Sequence, residues 1–462
     1  MLDRQALRQL QSAVGKQNVI VDREELVLYS YDATAGMPAA PPLAAVLPEN
    51  TAQVVSVVDI CRNHRLAVFP RGSGTNLSGG TVPVGDGVVL ATPRMDRILE
   101  LDPDNLAATV QPGVVIQRLN DAAAPHGLLY PPDPGTVATA TMGGSVSECS
   151  GGLRGLKYGV TRDYVTGLEV VLADGSVARF GGKTVKNVTA YDMVRLFTGA
   201  EGTLGVITEI TVRLVPVPED RRSMLASFTG LAAAGEAVAA IIRARIVPAT
   251  MEILDRTTVE AVENFAHVGL PRDAAAVLLV EVDGRHEVVR HDAAVVEQIL
   301  QQCGGRLKLA ADDRERDALW EARRSALPAL ARLRPTTVLE DATVPRSRIV
   351  EMLAAIQEIA ERHRLLIGTF GHAGDGNLHP TILTDESDRE EMARVHLAVE
   401  EIFARALALG GTLSGEHGIG LAKKRFLPQE LGDAGMAAVG RIKKALDPEN
   451  LFNPGKILPE ED

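Results

Sequence analysis

Cysteine is scarce in this chain. Cys61, Cys149 and Cys303 are the only three among 462 residues, and no Cys-x-x-Cys brings two of them together. That pattern excludes a disulfide framework, a zinc ribbon and a self-ligated iron–sulfur cluster, and makes a reducing cytoplasm the simplest setting. Basic charge is in deficit too: 48 Lys and Arg against 60 Asp and Glu leave a formal net charge of −12, with no Lys/Arg block. A nucleic-acid partner is therefore not expected, and an anionic substrate requires a local basic pocket. Uncharged apolar runs stop short of about 18 residues, so no transmembrane helix is expected. The opening Met1-Leu2-Asp3-Arg4-Gln5 has no signal-peptide pattern. Short internal repeats and low-complexity segments are missing as well.

A length of 462 residues exceeds what one core usually serves, so two or three domains are expected. Apolar content of 45% and charged content of 23% suit a soluble globular enzyme. Residues 1–40 read as a short amphipathic helix (Leu7, Leu10, Val14) and a connecting arm. Ala44 to Leu47 reads as a strand, and Thr51 as the cap of a helix whose apolar face carries Val54, Val55 and Val58. That helix returns to a strand at Leu66 to Phe69, closing a β-α-β unit. The strand feeds Pro70-Arg71-Gly72-Ser73-Gly74-Thr75-Asn76-Leu77-Ser78-Gly79-Gly80, with four glycines in nine residues. Such a loop takes positive φ easily and brings backbone N–H groups close to an anion, while Arg71 adds a fixed positive charge. It reads as a phosphate cradle. It is not a Rossmann fingerprint, whose glycines open a helix, nor a P-loop, which needs Gly-Lys-Ser/Thr. The competing reading is a glycine-rich surface turn.

Strands and turns alternate from Gly87 to Ile116. A second glycine-rich region then runs from Pro131 to Gly152, too long for a plain turn and expected to be functional. Ser145, Ser147 and Ser150 offer hydroxyl donors within it. Asp174-Gly175 reads as a hairpin turn. Phe197 to Thr208 forms a third block, for which a strand end with a tight turn is the competing reading. Val215-Pro216-Val217-Pro218-Glu219-Asp220 is a proline-punctuated boundary. Beyond it alanine-rich helices alternate with strands expected at Thr250 to Leu254, Ala276 to Val282, Thr337 to Thr343, Leu365 to Phe370 and Leu378 to Leu383. This is the pattern of an α+β domain: a mixed or antiparallel sheet with helices on one face.

The sharpest constellation is Gly371-His372-Ala373-Gly374-Asp375-Gly376-Asn377-Leu378-His379. With Asp375-Gly376 as the two-residue loop of a hairpin, Gly374 faces Asn377, Ala373 faces Leu378 and His372 faces His379. Facing residues share one side of the ladder with Cβ atoms about 4.5–5.5 Å apart, close enough for two imidazoles to converge on one cation at about 2.0–2.1 Å per bond. A surface pair of histidines is the competing reading. A second cluster, Thr412-Leu413-Ser414-Gly415-Glu416-His417-Gly418-Ile419-Gly420, sets an acid and a histidine between glycines. Adjacent side chains point different ways, so Glu416 and His417 suit different tasks.

Pro70 to Gly80 resembles the pyrophosphate loop of the vanillyl-alcohol-oxidase (PCMH) type of FAD-binding domain. Over nearly its full length, with the motifs in order, the chain is similar to the family of D-lactate dehydrogenases, D-2-hydroxyglutarate dehydrogenases and the flavin subunit of glycolate oxidase. The resemblance implies an α+β two-domain flavoprotein: an N-terminal helical arm (1–40), an FAD-binding domain (41–218) and a substrate-binding cap of the FAD-linked oxidase C-terminal type (219–462). It implies FAD contacts from the cradle (Pro70, Arg71, Gly72, Ser73, Gly74, Thr75, Asn76, Gly79, Gly80) and from the second region (Pro132, Gly135, Met142, Gly143, Gly144, Ser147, Ser150, Gly151). Tyr158, then Glu201, Gly202, Gly205, Val206 and Ile207, and finally Asn453 of the closing Asn450-Leu451-Phe452-Asn453-Pro454-Gly455-Lys456, complete the set. A proline-turn lock is the competing reading for Asn453. Thr75 stands where covalently flavinylated relatives often carry histidine, so non-covalent FAD is expected.

By the same resemblance His372, His379 and Glu416 ligate a divalent metal, zinc first with manganese and iron as alternatives, and His417 is the catalytic base. Arg323, in Trp320-Glu321-Ala322-Arg323-Arg324, holds the substrate carboxylate through its bidentate fork; a helix-surface charge is its competing reading. The implied reaction is oxidation of a 2-hydroxy acid by hydride transfer to flavin N5, with the cation stabilising the alkoxide and histidine taking the proton. Hydroxyglutarate-oxidising members carry Lys just before the aspartate matching Asp341. Here that segment is Val338-Leu339-Glu340, which favours D-lactate or glycolate over the five-carbon diacid. Nothing resembles an NAD site. An external acceptor is expected, whether a quinone, cytochrome, electron-transfer flavoprotein or iron–sulfur subunit, with the enzyme cytoplasmic or held at the membrane by that partner. Assembly is left open between monomer and homodimer. The competing functions are a metal hydrolase on the His372/His379/Glu416 set, a non-catalytic flavin-binding subunit, and a flavin-dependent alkyl transferase of the same fold.

Overall fold

The structure is a computed structural model that describes residues 2–37 and 40–459. It divides into two compact units: Met1–Ser150 with Val160–Val217 and Glu416–Asp462, and Gly151–Gly159 with Pro218–Gly415. The chain crosses between them near 218 and again at Gly415, so the stretch from 416 onward packs with the N-terminal portion. The physical reason is local: Leu451 and Phe452 are buried in the same core as Val68, Val88 and Leu90. Val68 N–H donates to Leu451 O at 2.8 Å, and Asn453 N–H to Val68 O at 2.8 Å.

In the first unit, Val19–Ile20, Ala44–Val46, Gly87–Ala91 and Ala67–Arg71 form a four-stranded sheet in that order, the last three parallel. The expected β-α-β unit is present with a third strand, Gly87–Ala91, inserted between its two. Its helix, Thr51–Asn63, buries Val54, Val57, Val58 and Cys61. The cap is Asn50, one residue earlier than expected: its extended backbone lets the side chain accept Gln53 N–H at 3.1 Å, while Thr51 Oγ1 donates to Glu169 Oε1 at 2.7 Å. Arg71 ends its strand against Ala91, and the cradle opens there. A second, antiparallel sheet orders Ile98–Asp102, Ala107–Val110, Val206–Arg213, Val165–Val171 and Val177–Gly181. The second glycine-rich region is not loop throughout. Met142–Glu148 is a helix whose N-cap, Thr141, accepts Gly144 N–H at 3.3 Å. Gly143 is required there by packing, since a Cβ would lie 2.6 Å from Pro112 Cβ.

The second unit is built on an eight-stranded, wholly antiparallel sheet. Its order is Arg306–Leu309, Asp220–Phe228, Ala276–Gly284, Thr250–Asp255, Leu366–His372, Asn377–Thr384 and Thr336–Leu339, with Ala342–Thr343 also pairing Asn377–Thr384. The expected strand from Thr337 to Thr343 breaks at Glu340-Asp341, which frees Asp341 from the ladder. Among the described residues no helix is long and apolar enough to cross a membrane.

Candidate active site

The cradle presents backbone donors. The N–H groups of Ser73, Gly74, Thr75 and Asn76 donate to no other described residue, a run of open donors of the kind that binds an anion. Asn76 Oδ1 shapes the far side by accepting Ser78 N–H at 2.9 Å and Gly80 N–H at 2.7 Å. Gly74 (φ 74°) and Gly79 (φ 75°) occupy the left-handed region that such a turn needs. Lys456 Nζ adds a buried donor with no partner among the described residues, 5.4 Å from the centre of the Phe69 ring; burial pushes its pKa down to about 8. These donors fit the pyrophosphate of FAD. Arg71 contributes differently from its expected role: its guanidinium donates to Tyr31 O at 2.7 Å, Leu28 O at 3.3 Å and Thr81 Oγ1 at 3.1 Å, clamping the N-terminal arm.

Of the other residues expected to hold the cofactor, Gly144 packs against Gly72 of the cradle. Pro132 is buried and Gly135 exposed. Ser150 Oγ is bonded to Ser145 Oγ and both approach Thr161 Oγ1, so these hydroxyls form their own network. Ser147 O accepts Glu201 N–H at 2.8 Å. Gly202 lies against Pro70 of the cradle. Gly205 backs onto Val170 and Val171, and Val206 and Ile207 pair with Val171 and Val170 inside the sheet. Gly151 and Tyr158 belong to the second unit, where Tyr158 OH donates to Asp283 Oδ2 at 2.6 Å. Asn453 Nδ2 donates to Gly80 O at 2.8 Å and Glu201 O at 2.7 Å, tying the closing motif to the cradle as a lock.

Glu201 is an anchor. Its carboxylate accepts Ile419 N–H and Gly420 N–H, each at 2.7 Å, just beyond Glu416 and His417 in the sequence. Burial raises its pKa against those two bonds. Beside it Glu148, which sequence reading passed over, is held well above the usual carboxylate range by burial and then by Glu201 and Asp32.

In the second unit the two hairpin histidines meet, by a different route from the expected one. The loop holds four residues, Ala373 to Gly376, and the register pairs His372 with Asn377, Gly371 with Leu378 and Phe370 with His379. His372 and His379 are thus diagonal neighbours. Because side chains alternate with period two, a slip of two residues leaves them on one face. Their rings stand 5.2 Å apart at 89°, and a ligand atom from each lies within 4.8 Å of the other, as for Asp341 and His379.

Glu252, fully buried, organises this face. One oxygen meets His372 Nδ1 at 2.7 Å and the other accepts Arg323 Nε at 2.5 Å. Despite burial, which alone raises it, the Glu252 pKa is lowered by His372 and Arg323. A carboxylate thus fixes the ring of His372 through Nδ1, an arrangement that metal-binding histidines use. Arg323 sits on the helix Asp313–Arg324, 7% exposed, with its guanidinium 4.7 Å from the Phe370 ring centre. That burial rules out a helix-surface charge; its neighbour Arg324 is half exposed. Asp341, fully buried, accepts Asn377 Nδ2 at 2.5 Å, Ser414 Oγ at 2.7 Å and Gly415 N–H at 2.9 Å. Two imidazoles with buried carboxylates behind them form a donor set suited to a divalent transition metal. Glu252 and Asp341 were missed as functional residues. A lone acid inside the apolar Thr250-Met251-Glu252-Ile253-Leu254 was the available signal.

This architecture is the two-domain fold of vanillyl-alcohol-oxidase (PCMH)-type flavoproteins: p-cresol methylhydroxylase matches with a TM-score of 0.81 at 21% identity, over 98% of this chain and 96% of that one. Residues 42–181 match the FAD binding domain and residues 217–457 the FAD linked oxidases C-terminal domain. The chain belongs to the FAD-linked oxidase family and is an FAD-linked oxidoreductase acting on CH–OH donors. It is 49% identical to the glycolate oxidase subunit GlcD of Bacillus subtilis, over the full chain and 98% of that protein. It is also 37% identical to the D-lactate dehydrogenase of Archaeoglobus fulgidus, over 93% of this chain and 95% of that one.

Proposed function

We propose that the chain oxidises a small 2-hydroxy acid, glycolate or D-lactate, to the 2-oxo acid and passes the electrons to an external acceptor. The observation that carries this reading is Glu252, which joins a buried arginine to a buried histidine of the His372/His379 pair. Bound FAD supplies the redox capacity, held by the cradle donors and Lys456. A divalent cation on His372, His379 and Glu416 supplies Lewis acidity toward the substrate oxygens. Arg323 spends Nε on Glu252, and its terminal amino groups donate to no other described residue. They provide the fork for the substrate carboxylate. Glu252 keeps Arg323 and His372 at fixed separation, which aligns the carboxylate with the metal-binding face. Neutral His417 accepts the hydroxyl proton.

Substrate size is read from the segment before Asp341: Val338-Leu339-Glu340 carries no base where hydroxyglutarate-oxidising relatives carry Lys, so a second substrate carboxylate lacks a cationic partner from this segment. The half of the reading drawn from relatives is the partner: a protein called a glycolate oxidase subunit works with other subunits, and a partner subunit here takes the electrons. A dye-coupled screen tests the substrate class. Glycolate or D-lactate is expected to support dye reduction, with D-2-hydroxyglutarate poorer by about tenfold or more, the equivalent of ~1.4 kcal/mol. Colourless protein, or no turnover with any 2-hydroxy acid, contradicts the proposal.

A further inference from the structure

The short segment bearing Glu416 and His417 is held on both sides by a buried carboxylate. Upstream, within the second unit, Asp341 accepts Gly415 N–H at 2.9 Å and Ser414 Oγ at 2.7 Å. Downstream, within the first unit, the two oxygens of Glu201 accept Ile419 N–H and Gly420 N–H at 2.7 Å each. Only Glu416, His417 and Gly418 lie between the clamped positions. Gly418 has φ 81°, and a Cβ there would collide with Glu148 and approach Glu201 Oε1 to 3.0 Å, so the backbone turns hard against the carboxyl pair. Past the downstream clamp, the carbonyl of Ser78 in the cradle accepts Leu421 N–H at 2.9 Å and Ala422 N–H at 3.0 Å.

Glu201 is itself fixed. Its backbone adopts φ 49°, uncommon for a residue with a side chain, and is tied by Ser147 O and Asn453 Nδ2. A carboxylate suits this task because it only accepts: each oxygen takes a backbone N–H and neither presents a hydrogen to it. An amide of the same shape places an NH₂ against a backbone donor.

We infer that Glu201 and Asp341 are positioning residues for the metal ligand and the base, holding the backbone on either side of Glu416 and His417 through its N–H groups. The inference rests on the reading of Glu416 and His417 given above. It assigns Glu201 a task other than touching FAD, and it makes the cradle and the base-bearing segment one hydrogen-bonded assembly within the first unit.

The test uses full-length, FAD-loaded protein carrying Glu201→Gln or Asp341→Asn. Zinc affinity is measured by competition with a chelator, beside kcat, KM and the FAD-to-protein ratio. Expected are a loss of zinc affinity of about 10–100-fold, the usual weight of a residue that orients a ligand, a fall in kcat with KM little changed, and native FAD content. Ser414→Ala, which deletes the hydroxyl bond to Asp341 and no charge, is the milder companion should Asp341→Asn not fold. It is expected to weaken zinc binding by about fivefold, the equivalent of ~1 kcal/mol. Native zinc affinity and kcat in Glu201→Gln and Ser414→Ala overturn the inference. Loss of FAD from Glu201→Gln with zinc affinity intact also overturns it, by making Glu201 a cofactor contact. His417→Asn, run in parallel, separates the two levels: if it loses turnover while Glu201→Gln does not, only the clamp is wrong; if neither does, the base assignment is wrong as well.

Discussion

His417→Asn is expected to keep its FAD and near-native metal while losing turnover by roughly 10²–10⁴-fold, the usual weight of general base catalysis. Asparagine preserves bulk and hydrogen-bonding capacity but cannot take up a proton at neutral pH. The Gly415, Ile419 and Gly420 N–H groups that hold the backbone of this segment are unchanged by the substitution. Flavin absorbance, metal analysis and stopped-flow reduction of the flavin by substrate check the three parts separately. A variant that reduces its flavin at the native rate removes His417 from the chemistry.

His372→Ala is expected to lose metal and activity together, and Glu252→Gln to follow it at smaller amplitude. Glu252 is fully buried between His372 Nδ1 and Arg323 Nε. Glutamine keeps one acceptor and turns the other oxygen into a donor, which leaves either the arginine or the imidazole facing a hydrogen. Breaking a buried ion pair on one side costs about 3–5 kcal/mol, so Glu252→Gln should also unfold at lower temperature. Metal affinity should fall by about 10–100-fold, since the imidazole loses the partner that fixes its tautomer. KM for the 2-hydroxy acid should rise as well, because Arg323 loses its support. Metal content beside KM is the check: a Glu252→Gln enzyme with native metal affinity and native KM removes Glu252 from the site.

The ligand pair was legible in the sequence although its register was not. Asp375-Gly376 suggested a two-residue loop, yet the loop is four residues long. Gly371 packs directly on the Asn377–Leu378 backbone, and Gly376, at φ 94°, lies against the carbonyl of Val344. Period two rescued the face assignment. The strand Asp220–Phe228 was hidden because it begins with the charged Asp220-Arg221-Arg222, which stays outside the core, ahead of a buried run from Ser223 to Phe228. The helix Met142–Glu148 was hidden by its two glycines, whose low helix propensity is overridden by close packing on Pro112. What sequence reading could not supply was the pairing of the buried acids. Glu148, Glu201, Glu252 and Asp341 each depend on partners distant in the chain, such as Ile419 for Glu201 and Arg323 for Glu252. No local pattern announces such pairs.

The most direct measurement is anaerobic reduction of the bound flavin by glycolate or D-lactate, before and after the metal is stripped by a chelator. Native protein should bleach on mixing with substrate. Stripped protein should keep its FAD, because the cradle donors and Lys456 lie among residues other than the metal ligands, and should fail to bleach until a divalent metal is restored. Bleaching of the metal-free protein at the native rate would contradict the account, and His372 and His379 would then be an ordinary pair of neighbouring histidines on a hairpin.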